Sequence, residues 1–211
     1  MVGISKAEEM NIVTFPVGQL QANCYFLVKD KDCIVIDPGD SADFLLEEVS
    51  RNNYSVKAII ATHGHFDHVM AAGEMQQALN IPIYLNLKDQ FLINRLEETA
   101  RHFLGYVPVV IKPQKINDLK GGASPVAGFD FTLIETPGHT PGSMCLYFEK
   151  ECTIFTGDTL FNNGIGRYDF SYSDKKELFR SLYELFKLPD ETLVYSGHAD
   201  PTSIGAERQR Y

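Results

Sequence analysis

The stretch Thr62-His63-Gly64-His65-Phe66-Asp67-His68 follows the apolar run Lys57 to Ala61, and its reading decides the fold. Three of the six histidines of this 211-residue chain lie inside it, with an aspartate among them. His63 and His65 stand two apart, so an extended backbone turns both side chains to one side. Two neutral imidazoles held that way are natural ligands for a borderline divalent metal. Asp67 and His68 come after a turn, at the start of a helix expected over Val69 to Leu79. Neighbouring helical residues point about 100° apart, which suits this pair to a second metal nearby rather than to the first.

Three further stretches carry the same signature of an apolar strand ending in a glycine-punctuated turn. In Glu135-Thr136-Pro137-Gly138-His139-Thr140-Pro141-Gly142, two Pro-Gly pairs fix a sharp turn that presents His139. Asp158 follows the strand in Phe155-Thr156-Gly157-Asp158-Thr159-Leu160-Phe161, and His198 is placed likewise in Tyr195-Ser196-Gly197-His198-Ala199-Asp200. Five of the six histidines thus stand at strand ends, where ligand sites of α/β proteins collect. His102 has no companion residues and reads as an ordinary surface or core histidine. Asp37 reads as a turn residue or a hydrogen-bond acceptor behind the ligands, and Asp200 and Glu135 as structural or supporting groups.

Outward from these motifs, strands are expected at Asn11 to Val17, Cys24 to Val28, Cys33 to Ile36, Lys57 to Ala61 and Ile81 to Leu85. Later strands are expected at Phe129 to Glu135, Ser143 to Glu149, Glu151 to Thr156 and Thr192 to Tyr195. Helices are expected from a Ser41 cap to Arg51, over Val69 to Leu79, from Leu87 to Phe103, over Ser173 to Phe186, and from Pro201 onward. A two-residue turn at Glu149-Lys150 would set Cys152 opposite Tyr147 and leave Cys145 diagonal to it, beyond disulfide reach. Cys24, Cys33, Cys145 and Cys152 therefore read as buried free thiols.

Composition is ordinary for a globular protein: 44% hydrophobic and 22% charged residues. The net charge of -9, from 19 basic and 28 acidic residues, argues against nucleic-acid or anionic-membrane partners. No apolar run reaches the roughly 18 residues of a transmembrane helix. Met1 to Met10 lacks the basic-then-apolar run of a secretory signal, so a cytoplasmic enzyme, monomer or homodimer, is expected.

Together, T-H-x-H-x-D-H, P-G-H-T-P-G-S, G-D-T-L-F and S-G-H resemble the metallo-β-lactamase superfamily, and within it the glyoxalase II-like hydroxyacylglutathione hydrolases. The resemblance runs from Phe15 to Arg208 with the motifs in the family's order. It implies an α/β (α+β) chain folded as a four-layer αβ/βα sandwich of two similar halves, one domain over 1–211. It implies that His63, His65 and His139 bind one metal, Asp67, His68 and His198 a second, and that Asp158 bridges them, with Asp67 and Asp158 as the catalytic carboxylates. Two divalent ions, Zn foremost with Fe or Mn as alternatives, would acidify a bridging water and polarise a carbonyl. The implied reaction is hydrolysis of a small-molecule thioester such as S-D-lactoylglutathione, and the alternatives are a single-iron persulfide dioxygenase or a non-catalytic metal-binding module. The Gly164-Ile165-Gly166-Arg167 loop reads either as a plain loop with Arg167 in a surface pair, or, by the resemblance, as a substrate-contacting loop in which Arg167 meets glutathione. One departure stands out: only 13 residues (199 to 211) follow His198, where glyoxalase II enzymes carry a helical C-terminal domain.

Overall fold

The computed structural model describes residues 10–211; the first nine residues, part of the stretch read above as lacking an export signal, lie outside the described residues. The first half of the chain builds a six-stranded sheet in sequential order: β1 (Asn11–Val17), β2 (Ala22–Lys29), β3 (Asp32–Ile36), β4 (Ser55–Ile60), β5 (Ile83–Leu85) and β6 (Asn117–Asp118). β1, β2 and β3 pair antiparallel, and β3 through β6 pair parallel. The parallel crossovers run through α1 (Ala42–Asn52), α2 (Phe66–Val69) and α3 (Ala72–Leu79), then through a 3-10 turn at Leu87–Asp89, α4 (Gln90–Asn94) and α5 (Leu96–Leu104).

The second half opens with β7 (Gly122–Ala123), β8 (Thr132–Glu135), β9 (Met144–Phe148) and β10 (Thr153–Gly157). A small hairpin of β11 (Leu160–Phe161) and β12 (Gly164–Ile165) follows, then α6 (Lys175–Leu185), β13 (Leu193–Ser196), β14 (Thr202–Ser203) and α7 (Ile204–Arg208). The second sheet has the order β14-β13-β10-β9-β8-β7.

Strand periodicity makes three cores from these two sheets. In β2, Cys24, Phe26 and Val28 face the helices α1, α3 and α5, while Tyr25 and Leu27 face the other sheet. β3 repeats the pattern with Cys33 and Val35 against Ile34 and Ile36. In β9 and β10, Met144, Leu146, Phe148 and Phe155 enter the inter-sheet core, while Cys145 and Ile154 pack on Leu178, Leu182 and Ile204 of α6 and α7. Both faces of the central strands are covered, which explains why they read as near-continuous apolar runs. The result is helix, sheet, sheet, helix: the four layers expected from the sequence.

Several local expectations differ from the structure. Ser41 adopts a left-handed backbone (φ 56°) and its side chain caps nothing in α1, because Asp40 Oδ1 engages the Ser41 amide at 2.5 Å. The single helix expected at Val69 to Leu79 is two, α2 and α3, broken around Met70 and Ala71, and the Leu87 to Phe103 region is three short pieces. The β9–β10 turn is longer than two residues: Phe148 pairs with Thr153 and Tyr147 with Ile154, so Cys152 sits half-buried in the turn and does not face Tyr147. All four cysteines are free. No helix among the described residues is long and apolar enough to cross a membrane.

Gly39, just past β3, lets that strand's end lie against the first turn of α2: a Cβ there would stand 1.7 Å from the Asp67 carbonyl oxygen. Gly39→Ala must therefore push α2 away. The expected cost is about 1–3 kcal/mol, or roughly 2–10 °C in Tm for a domain of this size. A thermal melt within one degree of the parent would contradict this packing.

Candidate metal centre

β4 ends at Ile60, and the next residues carry the chain across the sheet edge into α2, delivering His63, His65, Asp67 and His68 to one point. The turn after β8 brings His139, the end of β10 brings Asp158, and the end of β13 brings His198. All seven carboxylates and imidazoles singled out in the sequence therefore meet at one edge of the two sheets.

Each imidazole is anchored from behind, which fixes its free nitrogen. Asp37 accepts from the Thr62 amide (2.7 Å), from Thr62 Oγ1 (2.6 Å) and from His68 Nδ1 (3.0 Å). Because the Thr62 hydroxyl donates to Asp37, its oxygen accepts from His63 Nδ1 at 3.1 Å, leaving His63 Nε2 bare. His139 Nδ1 donates to the Arg167 carbonyl (2.8 Å) and His198 Nδ1 to the Leu20 carbonyl (3.2 Å). His65 is reversed: its Nε2 meets the Tyr172 hydroxyl at 2.8 Å, so Nδ1 faces its neighbours.

The front nitrogens form two groups. His65 Nδ1 lies 3.0 Å from His63 Nε2 and 3.0 Å from His139 Nε2. These spacings are close to the edge of a tetrahedron with metal–nitrogen bonds of roughly 2.0–2.1 Å. Asp67 Oδ2 lies 3.3 Å from His198 Nε2 and 3.8 Å from His68 Nε2. Asp158 stands between the groups: Oδ1 is 3.4 Å from His68 Nε2, while Oδ2 is 3.6 Å from His139 Nε2 and 3.9 Å from His198 Nε2. His68 Nε2 and Asp158 Oδ1 are both buried and make no hydrogen bond. Buried polar atoms without partners are costly, and two of them aimed at one gap fit a cation there. Gly197 keeps that gap open, since a Cβ on it would stand 2.2 Å from Asp158 Oδ1.

Electrostatics divides the groups in the same way. Burial, reinforced by the other imidazoles, holds His63 and His65 well below the usual histidine range, so both are neutral and ready to ligate. Burial alone would lower His68 too, but Asp158, Asp67 and Asp37 outweigh it and push it up to about 10. Burial would raise the Asp67 carboxyl, yet His68 and the hydrogen bond from His198 hold it below the carboxylate range. A divalent cation among these carboxylates would take the place of a proton on His68. The donor set is all nitrogen and oxygen, which fits Zn, Fe or Mn and does not choose among them.

Three supporting groups gave no sequence signal of their own. Asp89, fully buried, accepts from Gly64 N (2.9 Å), Thr140 Oγ1 (2.7 Å) and Gly142 N (2.7 Å), clamping the loops of His63, His65 and His139 together. Asn23 Nδ2 donates to Ser196 O (3.1 Å) and Ala199 O (2.9 Å), tying the His198 loop to the first sheet. Tyr172 is the acceptor behind His65. Glu135 instead pairs with Lys88 at the surface (3.1 Å), and His102 and Asp200 stand outside the cluster. Arg167 lines the cavity of about 370 Å³ that opens over Asp67, Asp158 and His198, but its guanidinium is bound to Asp169 by two 2.9 Å contacts.

Two tests follow from this geometry. Metal titration should approach two equivalents per chain, and Asp158→Asn should loosen both. Asp89→Asn offers one acceptor oxygen to three donors, so it should weaken metal binding about 10–100-fold and lower Tm by several degrees without touching a metal-facing atom. Unchanged metal affinity in Asp89→Asn would show that the clamp does not position the histidines.

Comparison with known proteins places this geometry. Hydroxyacylglutathione hydrolase GloC of Haemophilus influenzae is 36% identical over 204 residues, covering 95% of this chain and 96% of that one. Among solved structures, the BLEG-1 B3 metallo-beta-lactamase superposes with a TM-score of 0.87 at 33% identity, over 94% of this chain and 97% of that one. TTHA1623, solved in a di-iron-bound form, gives a TM-score of 0.87 at 34% identity, over 93% and 97% of the two chains. The model of the metallo-beta-lactamase superfamily matches residues 17–198, which span all seven clustered side chains. Fold and motif order thus agree, the clustered His and Asp side chains form groups that could hold metal ions, and the chain belongs to the metallo-beta-lactamase superfamily.

Proposed function

We propose that this chain, acting as one unit over 1–211, hydrolyses a small-molecule acyl thioester, with S-D-lactoylglutathione as the reference substrate, at a two-metal site. The observation that carries the reading is Asp158: its two oxygens serve two complete donor groups, and both open into one cavity. In this reading His63, His65 and His139 hold one ion, Asp67, His68 and His198 the other, and Asp158 both. The bound pair supplies Lewis-acid polarisation of the carbonyl and water acidified to react near neutral pH.

The residues do the rest. Asp67 and Asp158, both at the cavity floor, orient the attacking water and accept its hydrogen bond. The Tyr172 hydroxyl, pushed up to about 12 by burial and by Asp89, keeps its proton and offers a donor at the cavity wall. The Phe66, Phe103 and Phe170 side chains keep bulk water off the reacting carbon. A thiolate is a good leaving group, so no strong general acid is needed opposite the carboxylates.

GloC's name supports the thioester assignment. BLEG-1's name favours a second reading, hydrolysis of a β-lactam amide at the same site. A persulfide dioxygenase needs one iron and would leave the Asp67–His68–His198 group idle. A site closed to substrate would mark a structural metal; this one opens into a cavity, which favours catalysis over a metal-binding module.

The metal-loaded protein should therefore cleave thioesters under anaerobic conditions, with turnover falling at least about 100-fold in Asp158→Asn. Nitrocefin cleavage without thioesterase activity would favour the β-lactam reading. Oxygen uptake with glutathione persulfide, and no anaerobic thioester cleavage, would favour the dioxygenase.

A further inference from the structure

The walls of the cavity are far more apolar than a glutathione conjugate requires. On the His198 side stand Leu20, whose carbonyl holds His198, and Phe161, whose ring lies 6.3 Å from the His198 ring. Across the cavity Phe66 and Phe103 stack at 5.7 Å and 17°. Over the first histidine group Phe170 lies 5.3 Å from His65 and 5.9 Å from His139, itself stacked on Tyr172 at 5.4 Å. Leu20 and Phe103 remain 43% and 47% exposed, an unusual placement for large apolar side chains beside a polar floor.

Charge points the same way. Among the residues lining the cavity, Arg167 is the single permanent cation. Its guanidinium is already neutralised by Asp169 and lies 4.5 Å over the Phe170 ring. Glutathione would bring two carboxylates into a site whose remaining walls, Thr99 apart, are aromatic and aliphatic. With the metal ions engaged by the scissile carbonyl and the attacking water, the lining offers no further free cation to a carboxylate taken out of water, and the chain's net charge of -9 adds a repulsive field. An uncharged apolar ligand meets neither obstacle, and a cavity of about 370 Å³ suits a small molecule.

From this we infer that the cavity selects ligands that are uncharged and apolar on both sides of a scissile carbonyl: short-chain or aromatic acyl thioesters of neutral thiols. The inference rests on the thioester reading for its chemistry and on the cavity walls for its selectivity. The step is redox-neutral: the oxygen of water forms the new C–O bond, the C–S bond breaks, and the sulfur leaves as a thiolate that water's proton converts to the thiol.

The test uses the metal-loaded protein and paired ligands that contrast charge and polarity, with the diethyl ester of glutathione run beside each glutathione ligand so that loss of its carboxylate charges is read at matched size. Butyryl thioesters of N-acetylcysteamine and of glutathione are compared by kcat/KM, and butyryl with lactoyl on the same neutral thiol. The unreactive thioethers S-butyl-N-acetylcysteamine and S-butylglutathione are compared by calorimetry, which needs no chemistry. The neutral, apolar member of each pair should lead by at least about tenfold, and Phe103→Ser, at an exposed position that spares the core, should shrink that lead. If neither thioester is cleaved but the neutral thioether still binds more tightly, the selectivity stands and the thioester reading fails. Tighter binding of S-butylglutathione, lost in Arg167→Ala, would overturn the inference and make Arg167 a carboxylate anchor.

Discussion

One buried carboxylate sets the geometry on which the site depends. Asp37 leaves the end of β3 in a left-handed backbone conformation (φ 51°) and commits both oxygens to the segment after β4: the Thr62 amide, the Thr62 hydroxyl and, on α2, His68 Nδ1. A non-glycine residue in that conformation is strained, so the three hydrogen bonds must hold it there. Through the Thr62 hydroxyl the constraint reaches His63, and directly it reaches His68, one member of each donor group. Asp89 does the same from the other side, binding the His63–His65 turn to the His139 turn. The metal-facing side chains are thus placed by two buried carboxylates, each of which accepts three hydrogen bonds from the segments that carry them.

The same arrangement explains why so many titratable groups tolerate one buried spot. Two imidazoles are kept neutral by burial, while two others, His68 and His198, are pushed upward against burial by Asp67 and Asp158 in the same few ångströms. Such opposed shifts within one cavity are typical of functional sites. Here they describe a pocket that demands positive charge at its centre, and the unpartnered atoms His68 Nε2 and Asp158 Oδ1 mark where that charge belongs.

The sequence made the seven donor side chains legible because each motif couples a strand end to a turn, so periodicity and turn chemistry speak together. The His63–His65 pair and its partition from Asp67–His68 followed from backbone geometry alone. Pairings of two residues, such as β6, β7 and the β11–β12 hairpin, were invisible because they carry no period to read. Asp89 and Asn23 escaped for a different reason: nothing local marks a carboxylate or amide whose partners lie 25 to 53, or 173 to 176, residues away. Ser41 has the side chain of a cap, but its backbone is left-handed and its amide is held by Asp40, so the side chain caps nothing. In the sequence Arg167 reads either as an anchor or as half of a surface pair; in the structure it lines the cavity with its charge already matched by Asp169.

The central claim is that Asp158 joins two metal sites into one centre. X-ray absorption on the metal-reconstituted protein tests it most directly, because the scattering reports both the ligand atoms and any neighbouring metal. The account predicts a first shell of nitrogen and oxygen only, with a metal–metal vector at about 3.5–4 Å. A shell containing sulfur, or a fully loaded protein with no metal–metal vector, would contradict it.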